Sequence, residues 1–390
     1  MLLGEVRSDQ GHWDLVTKGS GLTPYSRFAD GRAVLRSSIR EYLGSAAMVG
    51  LGIPSSQALC LIGSEEPIQR ERIEPGALIV RVAQSHIRFG SFEYFSHTQQ
   101  HEALKTLVDY TIQRHFPELQ SNTHPIEDFF HEVVKRTAKL MAAWQAVGFT
   151  HGVMNTDNMS IIGDTFDYGP YAFMDGFQSH FIPNHSDQGG RYAFDQQPGI
   201  ALWNCRALAY ALRPVLKEEA SQEAIDDFTP TYHQAYMERM AAKLGLPATA
   251  DPLGPLISSL IPLLSADEVD YTLFFRQLCD FPAQEKELLC LFQYPDGIRN
   301  WLADYSTALE QNTSSPEERG AAMKQANPKY ILRSYMAEQA IRQAEDFRDH
   351  KVIADLMEIL HSPFEEHPEF QHYANTPPDW SRDLELSCSS

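Results

Sequence analysis

The spacing of apolar residues changes period along the chain. Residues 2–6 read as strand. Over residues 12–18, Trp13, Leu15 and Thr17 alternate with Asp14, Val16 and Lys18, the period of a half-buried strand ending in a lysine. Gly19, Ser20, Gly21 and Pro24 break it. From Arg32 the repeat becomes helical, with Leu35, Ile39, Leu43 and Ala46 on one face, Asp30 and Gly31 placed as an N-cap, and Glu41 on the same helix. Residues 57–62 and 77–82 predict two more strands, with Gly63 and Glu65-Glu66-Pro67 between them.

From Thr98 the pattern is helical. Leu104, Leu107, Val108, Ile112 and Phe116 form one face, and after Pro125 a stronger one runs through Phe130, Val133, Val134, Thr137, Leu140, Met141, Trp144 and Val147 up to Gly148. Residues 159–162 and 165–167 flank Gly163-Asp164, a spacing suited to a tight hairpin. Residues 170–198 read as a long loop, residues 198–360 as almost wholly helical, and the tail after Ser362 as an extended strap. The expected fold class is α+β: a small strand-rich N-terminal lobe over residues 1–95, a larger, mainly helical lobe over 96–362, and a tail over 363–390.

A length of 390 residues suits two such units better than one core. The formal charge of -20 argues for solubility and against a nucleic-acid partner, which would require clustered Lys and Arg. No apolar run approaches a membrane span, and residues 1–10 have neither a signal-peptide core nor an Arg-rich amphipathic pattern, so the expected location is cytoplasmic. The cysteines are scattered without a C-x-x-C pair, which indicates neither zinc nor a disulfide framework; all but Cys388 sit in apolar surroundings and are expected in the core.

Candidate chemistry concentrates in His151-Gly-Val-Met-Asn-Thr-Asp157-Asn158 and the following Asp167-Tyr-Gly169. The spacing matches the catalytic and metal loops of protein kinases, H-R-D-x-x-x-x-N and D-F-G, except that Val153 stands at the position of the catalytic aspartate. Lys18, at a strand end, precedes Glu41 by 23 residues, as in the kinase ion pair that orients phosphates; a surface salt bridge would have the same spacing. Arg81 interrupts an apolar strand, where a charge needs a partner, either a carboxylate or an anionic ligand; Arg88 follows in a loop. Asn184-His-Ser-Asp187 is read as a loop-stabilising turn, because sequence neighbours seldom converge as a catalytic triad.

Several blocks together resemble the selenoprotein O family of pseudokinases. They are Lys18-Gly-Ser-Gly-Leu-Thr-Pro-Tyr-Ser-Arg27, Asp30-Gly-Arg-Ala-Val-Leu-Arg-Ser-Ser-Ile-Arg-Glu41, Arg81-Val-Ala-Gln-Ser-His-Ile-Arg-Phe-Gly-Ser-Phe92, the 151–159 loop, Asn184-His-Ser-Asp187, Asn327-Pro-Lys-Tyr-Ile-Leu-Arg333, and Pro377-Pro-Asp-Trp380 with the terminal Cys388-Ser-Ser. The resemblance implies a two-lobed, kinase-like fold that transfers AMP from ATP, or UMP from UTP, to protein hydroxyls. The nucleotide is reversed relative to a kinase, so its α-phosphate faces the acceptor. It further implies Asp157 as the base, Asn158 and Asp167 as ligands of Mg²⁺ or Mn²⁺, and Lys18 (paired with Glu41), Asp30, Gly31, Arg81, Arg88 and Asp167 as the nucleotide-binding set.

The chain departs from the family pattern in places. Members carry a glycine-rich loop ending in Gly-Asp-Gly-Arg shortly before the Leu-Gly-Glu that is here Leu3-Gly4-Glu5, and this chain begins after it. The expectation is therefore an N-lobe truncated at its start, with a catalytically impaired nucleotide- or protein-binding pseudokinase as the alternative to a transferase. Pro183 replaces a cysteine that many members have, which removes a partner for Cys388. By the same resemblance Cys388 occupies the position of selenocysteine in some members, a position suited to redox sensing. Ser334 replaces the usual asparagine.

Overall fold

A computed structural model describes residues 1–9, 11–23, 30–310 and 314–386. The N-terminal part is an antiparallel sheet built on one long hairpin. Strands β1 (Leu2–Ser8), β2 (Gly11–Lys18) and β3 (Ala33–Val34) lead into helix α1 (Leu35–Gly50), followed by β4 (Gln57–Gln69) and β5 (Ile73–Ala83). β5 is central: β4 pairs along one edge, while β2 and the short β3 share the other, and β1 closes the sheet beyond β2. Val16 faces Arg81 and Lys18 faces Ile79 in the β2–β5 register. Lys18 and Arg81 therefore project from the same face as diagonal neighbours, and α1 carries Glu41 beneath them.

The rest is helical. α2 (Phe89–His97), α3 (His101–His115) and α4 (Pro125–Ala146) precede a two-stranded ribbon of β6 (Phe149–Thr150) and β7 (Ala172–Phe173). Then follow α5 (Gln197–Leu212), α6 (Glu218–Asp226), α7 (Phe228–Leu244), α8 (Leu253–Ala266), α9 (Tyr271–Leu278), α10 (Glu285–Leu289), α11 (Pro295–Leu309), α12 (Pro316–Ala326), α13 (Ser334–Phe347) and α14 (Lys351–His361). α4 begins with Pro125 at its first position and Glu127 and Asp128 in its first turn, where lone N–H groups favour both. Its apolar stripe belongs to the larger core: Val133, Met141 and Trp144 share one buried cluster with Leu43 of α1, Leu208 of α5, Met336 of α13 and Leu356 of α14. A second core, around Leu260, Phe274, Trp301 and Met323, joins α7 to α12. No helix among the described residues is long and apolar enough to cross a membrane.

Several expectations are corrected. α1 starts at Leu35 with Val34 as its cap residue, so Asp30 and Gly31 stand ahead of the helix and do not cap it. Asp30 is held instead by Arg70, at 2.8 and 3.0 Å, and by the Arg32 N–H at 2.9 Å. The two strands expected at 57–62 and 77–82 are longer, because the polar stretch after Gly63 continues β4 through a register shift to Gln69. α2 was hidden within residues 81–95, where arginine, glycine and serine dilute the apolar period, and it runs past residue 95. The hairpin at 159–167 does not form: Ser160 bridges to Arg88 and Thr165 to Ser55, so each arm pairs outward with a different segment. Cys205 and Cys279 are buried as expected, but Cys60 is only half-buried and Cys290 is exposed after the short α10. The tail forms short 3-10 turns, Pro368–Ala374 and Asp379–Asp383, and packs Tyr373 and Ala374 into the core. Cys388 lies outside the described residues.

α1 owes its position partly to Gly50, where a Cβ would overlap the backbone carbonyl of Leu360 in α14. Gly50→Ala is expected to destabilise the fold by about 1–3 kcal/mol, since a backbone atom cannot yield as a flexible side chain can. Urea unfolding measures this, and an unchanged midpoint would show that the α1–α14 contact is slack.

Candidate functional site

The site is built where the sheet, α1 and the 151–169 segment meet. Glu41, 2% exposed, accepts from Lys18 Nζ at 2.7 Å, from Arg81 Nη2 at 2.9 Å, and from Arg81 Nε. Arg81 then reaches Asp167 through Nη1 at 2.6 Å, and Arg88 Nη2 pairs with the other Asp167 oxygen at 2.9 Å. The result is one chain of alternating charge, Lys18–Glu41–Arg81–Asp167–Arg88, linking β2, α1, β5 and two loops. The charge inside the β5 strand is thus answered by carboxylates on both sides.

Electrostatics fix the protonation states. Burial works against the Glu41 carboxylate, but Arg81 and Lys18 outweigh it and hold its pKa below the usual range. Burial likewise opposes ionisation of Asp167, yet Arg81, Arg88 and Lys18 bring it down to about 2. Burial disfavours the Arg81 cation, and the two carboxylates more than restore it, so its pKa is raised. Asp167 also has φ of 58°, in the left-handed region that a residue with a side chain seldom occupies unless its surroundings impose it.

Backbone and buried side chains hold the 151–169 segment in place. His151, 1% exposed, stacks on Trp144 and places Nε2 2.9 Å from the Phe166 carbonyl oxygen, which ties the start of the segment to the residue before Asp167. Burial lowers its pKa, and a neutral ring donating from Nε2 suits a carbonyl partner. The Val153 N–H points to the other ring nitrogen at 3.4 Å. Trp144 Nε1 donates to Thr165 Oγ1 at 2.9 Å, and the Thr165 N–H donates to the Pro54 carbonyl at 2.8 Å. The Phe89 N–H donates to the Met159 carbonyl at 3.0 Å and the Ile161 N–H to the Ile87 carbonyl at 3.1 Å, so the Arg88 loop is sewn to the loop that carries Asn158.

A cleft of about 290 Å³ opens onto this network, with Lys18, Arg32, Arg70, Val153, Asn158 and Asp167 among its walls. Asp30 reaches the cleft through Arg70, which lines it and binds Asp30 at once. Gly31, at φ of 70°, accepts through its carbonyl from the Gly21 N–H at 3.0 Å; a Cβ there would overlap Gly21. Asp157 is half-buried on a single 3-10 turn, Thr156–Asn158, whose Asn155 side chain accepts from the Asp157 N–H at 2.9 Å. Its carboxylate lies against Gly90 in the first turn of α2, so closely that a Cβ at Gly90 would overlap an Asp157 oxygen.

Of the residues expected at the site, Lys18, Glu41, Arg81, Arg88 and Asp167 are brought into direct contact, and Asn158 shares their cleft. Asp157 is next to Asn158 in the chain but faces α2. Sequence reasoning missed Arg32 and Arg70, which reach the cleft from the start of the α1 segment and the end of β4; only the extension of β4 beyond Ile62 could have suggested Arg70. It also missed Gly90, whose signal is a glycine in the first turn of a helix. Asn184-His-Ser-Asp187 is the expected turn: Asn184 accepts from the Ser186 N–H at 3.1 Å, and Asp187 from the N–H groups of Arg191 and Tyr192 at 3.0 and 2.7 Å.

Cations grouped about fixed carboxylates, beside an amide and an ionised aspartate that line one cleft, suit a polyphosphate accompanied by a divalent ion. That is the equipment of an enzyme that transfers part of a nucleotide. The chain belongs to the SelO family: the family model described as "Protein adenylyltransferase SelO" matches residues 1–361. It is 50% identical to a Thiobacillus denitrificans protein named protein nucleotidyltransferase YdiU, 49% to one from Myxococcus xanthus and 48% to one from Vibrio cholerae. Each match covers 100% of this chain and 81% of the relative.

Two expectations test the network. Glu41→Gln leaves Arg81 with too little negative charge in a buried place, and a loss of about 3–5 kcal/mol is expected in denaturant unfolding. The second concerns pH. Burial pushes Asp164 up to about 6 against the pull of Arg136, while Asp167 is held at about 2. The unfolded value for both is about 4. Asp167 therefore contributes stability above about pH 4 that is lost as pH falls towards 2, whereas Asp164 costs stability increasingly as pH rises from about 4 through 6. Asp164→Asn is expected to raise the melting temperature at about pH 7 and to leave it unchanged near about pH 3.5; an equal gain at both would refute the burial argument.

Proposed function

We propose that the chain transfers AMP from ATP to hydroxyl groups of protein side chains, with UTP and UMP as a variant of the same reaction. Its location is cytoplasmic, and its architecture a kinase-like pair of lobes, with the strand-rich lobe over residues 1–95, the helical one over 96–362 and a tail over 363–390. The observation that carries this reading is the fixed chain from Lys18 to Arg88 through Glu41, Arg81 and Asp167, opening on a cleft that also holds Asn158 while Val153 leaves the kinase base position apolar.

In this reading Lys18, Arg81 and Arg88 neutralise the triphosphate, and Asp30 and Gly31 shape the mouth of the cleft. Asn158 and Asp167 would hold Mg²⁺ or Mn²⁺. The fit rests on their chemistry, an amide oxygen and a carboxylate kept ionised, both hard oxygen donors on one cleft wall. When bound, the ion supplies charge neutralisation at the phosphates. Asp157 accepts the proton of the acceptor hydroxyl, whose oxygen forms a bond to the α-phosphorus as the bond to the β-phosphate oxygen breaks and pyrophosphate leaves. Positioning supplies most of the rate in such a displacement, which accounts for a site held so firmly by buried ion pairs.

The test is label transfer from ATP labelled at the α- or the γ-phosphate to protein acceptors, with wild type, Asp157→Asn and Asp167→Ala. Label from the α position alone is expected. Its rate should fall about 10²–10⁴-fold in Asp157→Asn, the usual worth of a general base, and to background in Asp167→Ala. Transfer from the γ position would establish a phosphotransferase, and nucleotide binding without transfer from either would leave a binding protein.

A further inference from the structure

Protein acceptors must be gripped outside the nucleotide cleft, and α5 presents a surface suited to that. Its exposed side is a single stripe: Trp203, Arg206, Tyr210 and Arg213 fall at steps of three and four residues, within about one quarter of the helix circumference. Trp203 is 49% exposed and Tyr210 57%, unusual for large aromatic side chains on a helix whose opposite face is fully buried. Arg213 lies over the Tyr210 ring at 4.6 Å, and Arg191, from the loop before α5, lies over Trp203 at 5.1 Å. Beside the stripe a hollow of about 600 Å³ has Ala209, Leu216 and Ile225 in its wall, with Arg206, Tyr210 and Arg213 on one side and Glu218, Ser221 and Gln222 on the other.

Charge gathers in the same place. The chain carries 52 acidic against 32 basic residues, and most of its described arginines form ion pairs. Arg191, Arg206 and Arg213 form none among the described residues, and neither do Arg7, Arg40, Arg239, Arg299 and Arg319, but only these three gather on one surface with exposed aromatic rings. Stacked guanidiniums are pre-organised and still free to bind a carboxylate in a fork, so little rotamer freedom is lost when an anionic partner arrives. Tyr, Trp and Arg are also the residue types that dominate interface energies.

The face of α5 opposite the stripe is fixed to the site. Asn204, next to Trp203, donates to the Met154 carbonyl at 2.9 Å, and Gln197 at the start of α5 accepts from the His151 N–H at 2.9 Å, so α5 is bolted to the loop that carries Asp157 and Asn158. From Trp203 to Arg213 the stripe extends about 15 Å along the helix, the span of a short extended peptide.

We propose that the outer face of α5 docks an acidic segment of the protein substrate, one with an apolar side chain for the hollow and Asp or Glu beside it for Arg206 and Arg213. This rests on the transferase reading for its purpose, but docking can be measured without nucleotide, so failure of one can be told from failure of the other. The probe is a fluorescein-labelled peptide of about fifteen residues, rich in Asp and Glu around one Leu and one Tyr, compared with its Lys-for-Glu counterpart and a uridine oligomer of equal length. Fluorescence anisotropy with the full chain, in the absence of ATP, is expected to show binding of the acidic peptide that weakens with salt.

Arg206→Glu/Arg213→Glu should lower that affinity tenfold or more, and Arg206→Gln/Arg213→Gln several-fold. Because both side chains point to solvent, unchanged melting temperatures are expected and serve as the folding control. With an acceptor peptide of the same composition, the KM for peptide should rise in these variants while kcat and the KM for ATP stay near wild type. Absence of acidic-peptide binding, equal binding by the variants, or equal or tighter binding of the basic peptide or the oligonucleotide would each overturn the proposal.

Discussion

Glu41 is the residue on which the rest depends. It is a buried carboxylate whose desolvation is tolerable only because Arg81 and Lys18 surround it. That requirement sets the strand register that makes Lys18 and Arg81 neighbours, the depth at which α1 packs, and, through the far end of Arg81, the place of Asp167. Remove the carboxylate and three elements lose their reason to meet. The arrangement is a poor source of net stability and a strict source of geometry, the trade expected where catalysis depends on position.

A second clasp reinforces the first. Arg40, next to Glu41, is almost fully buried, donates to the Tyr171 carbonyl at 2.5 Å and stacks on the Tyr171 ring, while the Tyr171 hydroxyl donates back to the Arg40 carbonyl at 2.6 Å. Burial lowers the Arg40 pKa, and no carboxylate pairs with it among the described residues. Gly44, one turn on, leaves the room that the Tyr171 ring needs. α1 and the segment after Asp167 are therefore tied by contacts in both directions, close to where Glu41 and Asp167 meet Arg81.

The sheet and the long helices were legible in the sequence because burial on one face writes a period into it: two for β2, between three and four for α1 and α4. The Lys18–Glu41 pairing could be read from spacing, and Arg81 from being a charge in an apolar strand. What could not be read depended on contacts distant in sequence. The apparent hairpin around Gly163-Asp164 is unmade by Arg88 and Ser55, which take its two arms. Asp30 looked like a helix cap until Arg70, forty residues on, claimed it. The expected core position of Cys290 failed because α10 is a single short turn with one buried side, filled by Leu288. Asp157, Asn158 and Asp167 were legible as a spaced motif, but not the fact that Asp157 leans on α2 while Asn158 faces the cleft.

That lean has a consequence for where the proton acceptor rests. Gly90 leaves the space that the Asp157 carboxylate occupies, so two residues sixty-seven positions apart in the chain share one volume: a methyl group at Gly90 would turn the carboxylate to another rotamer and leave the backbone where it is.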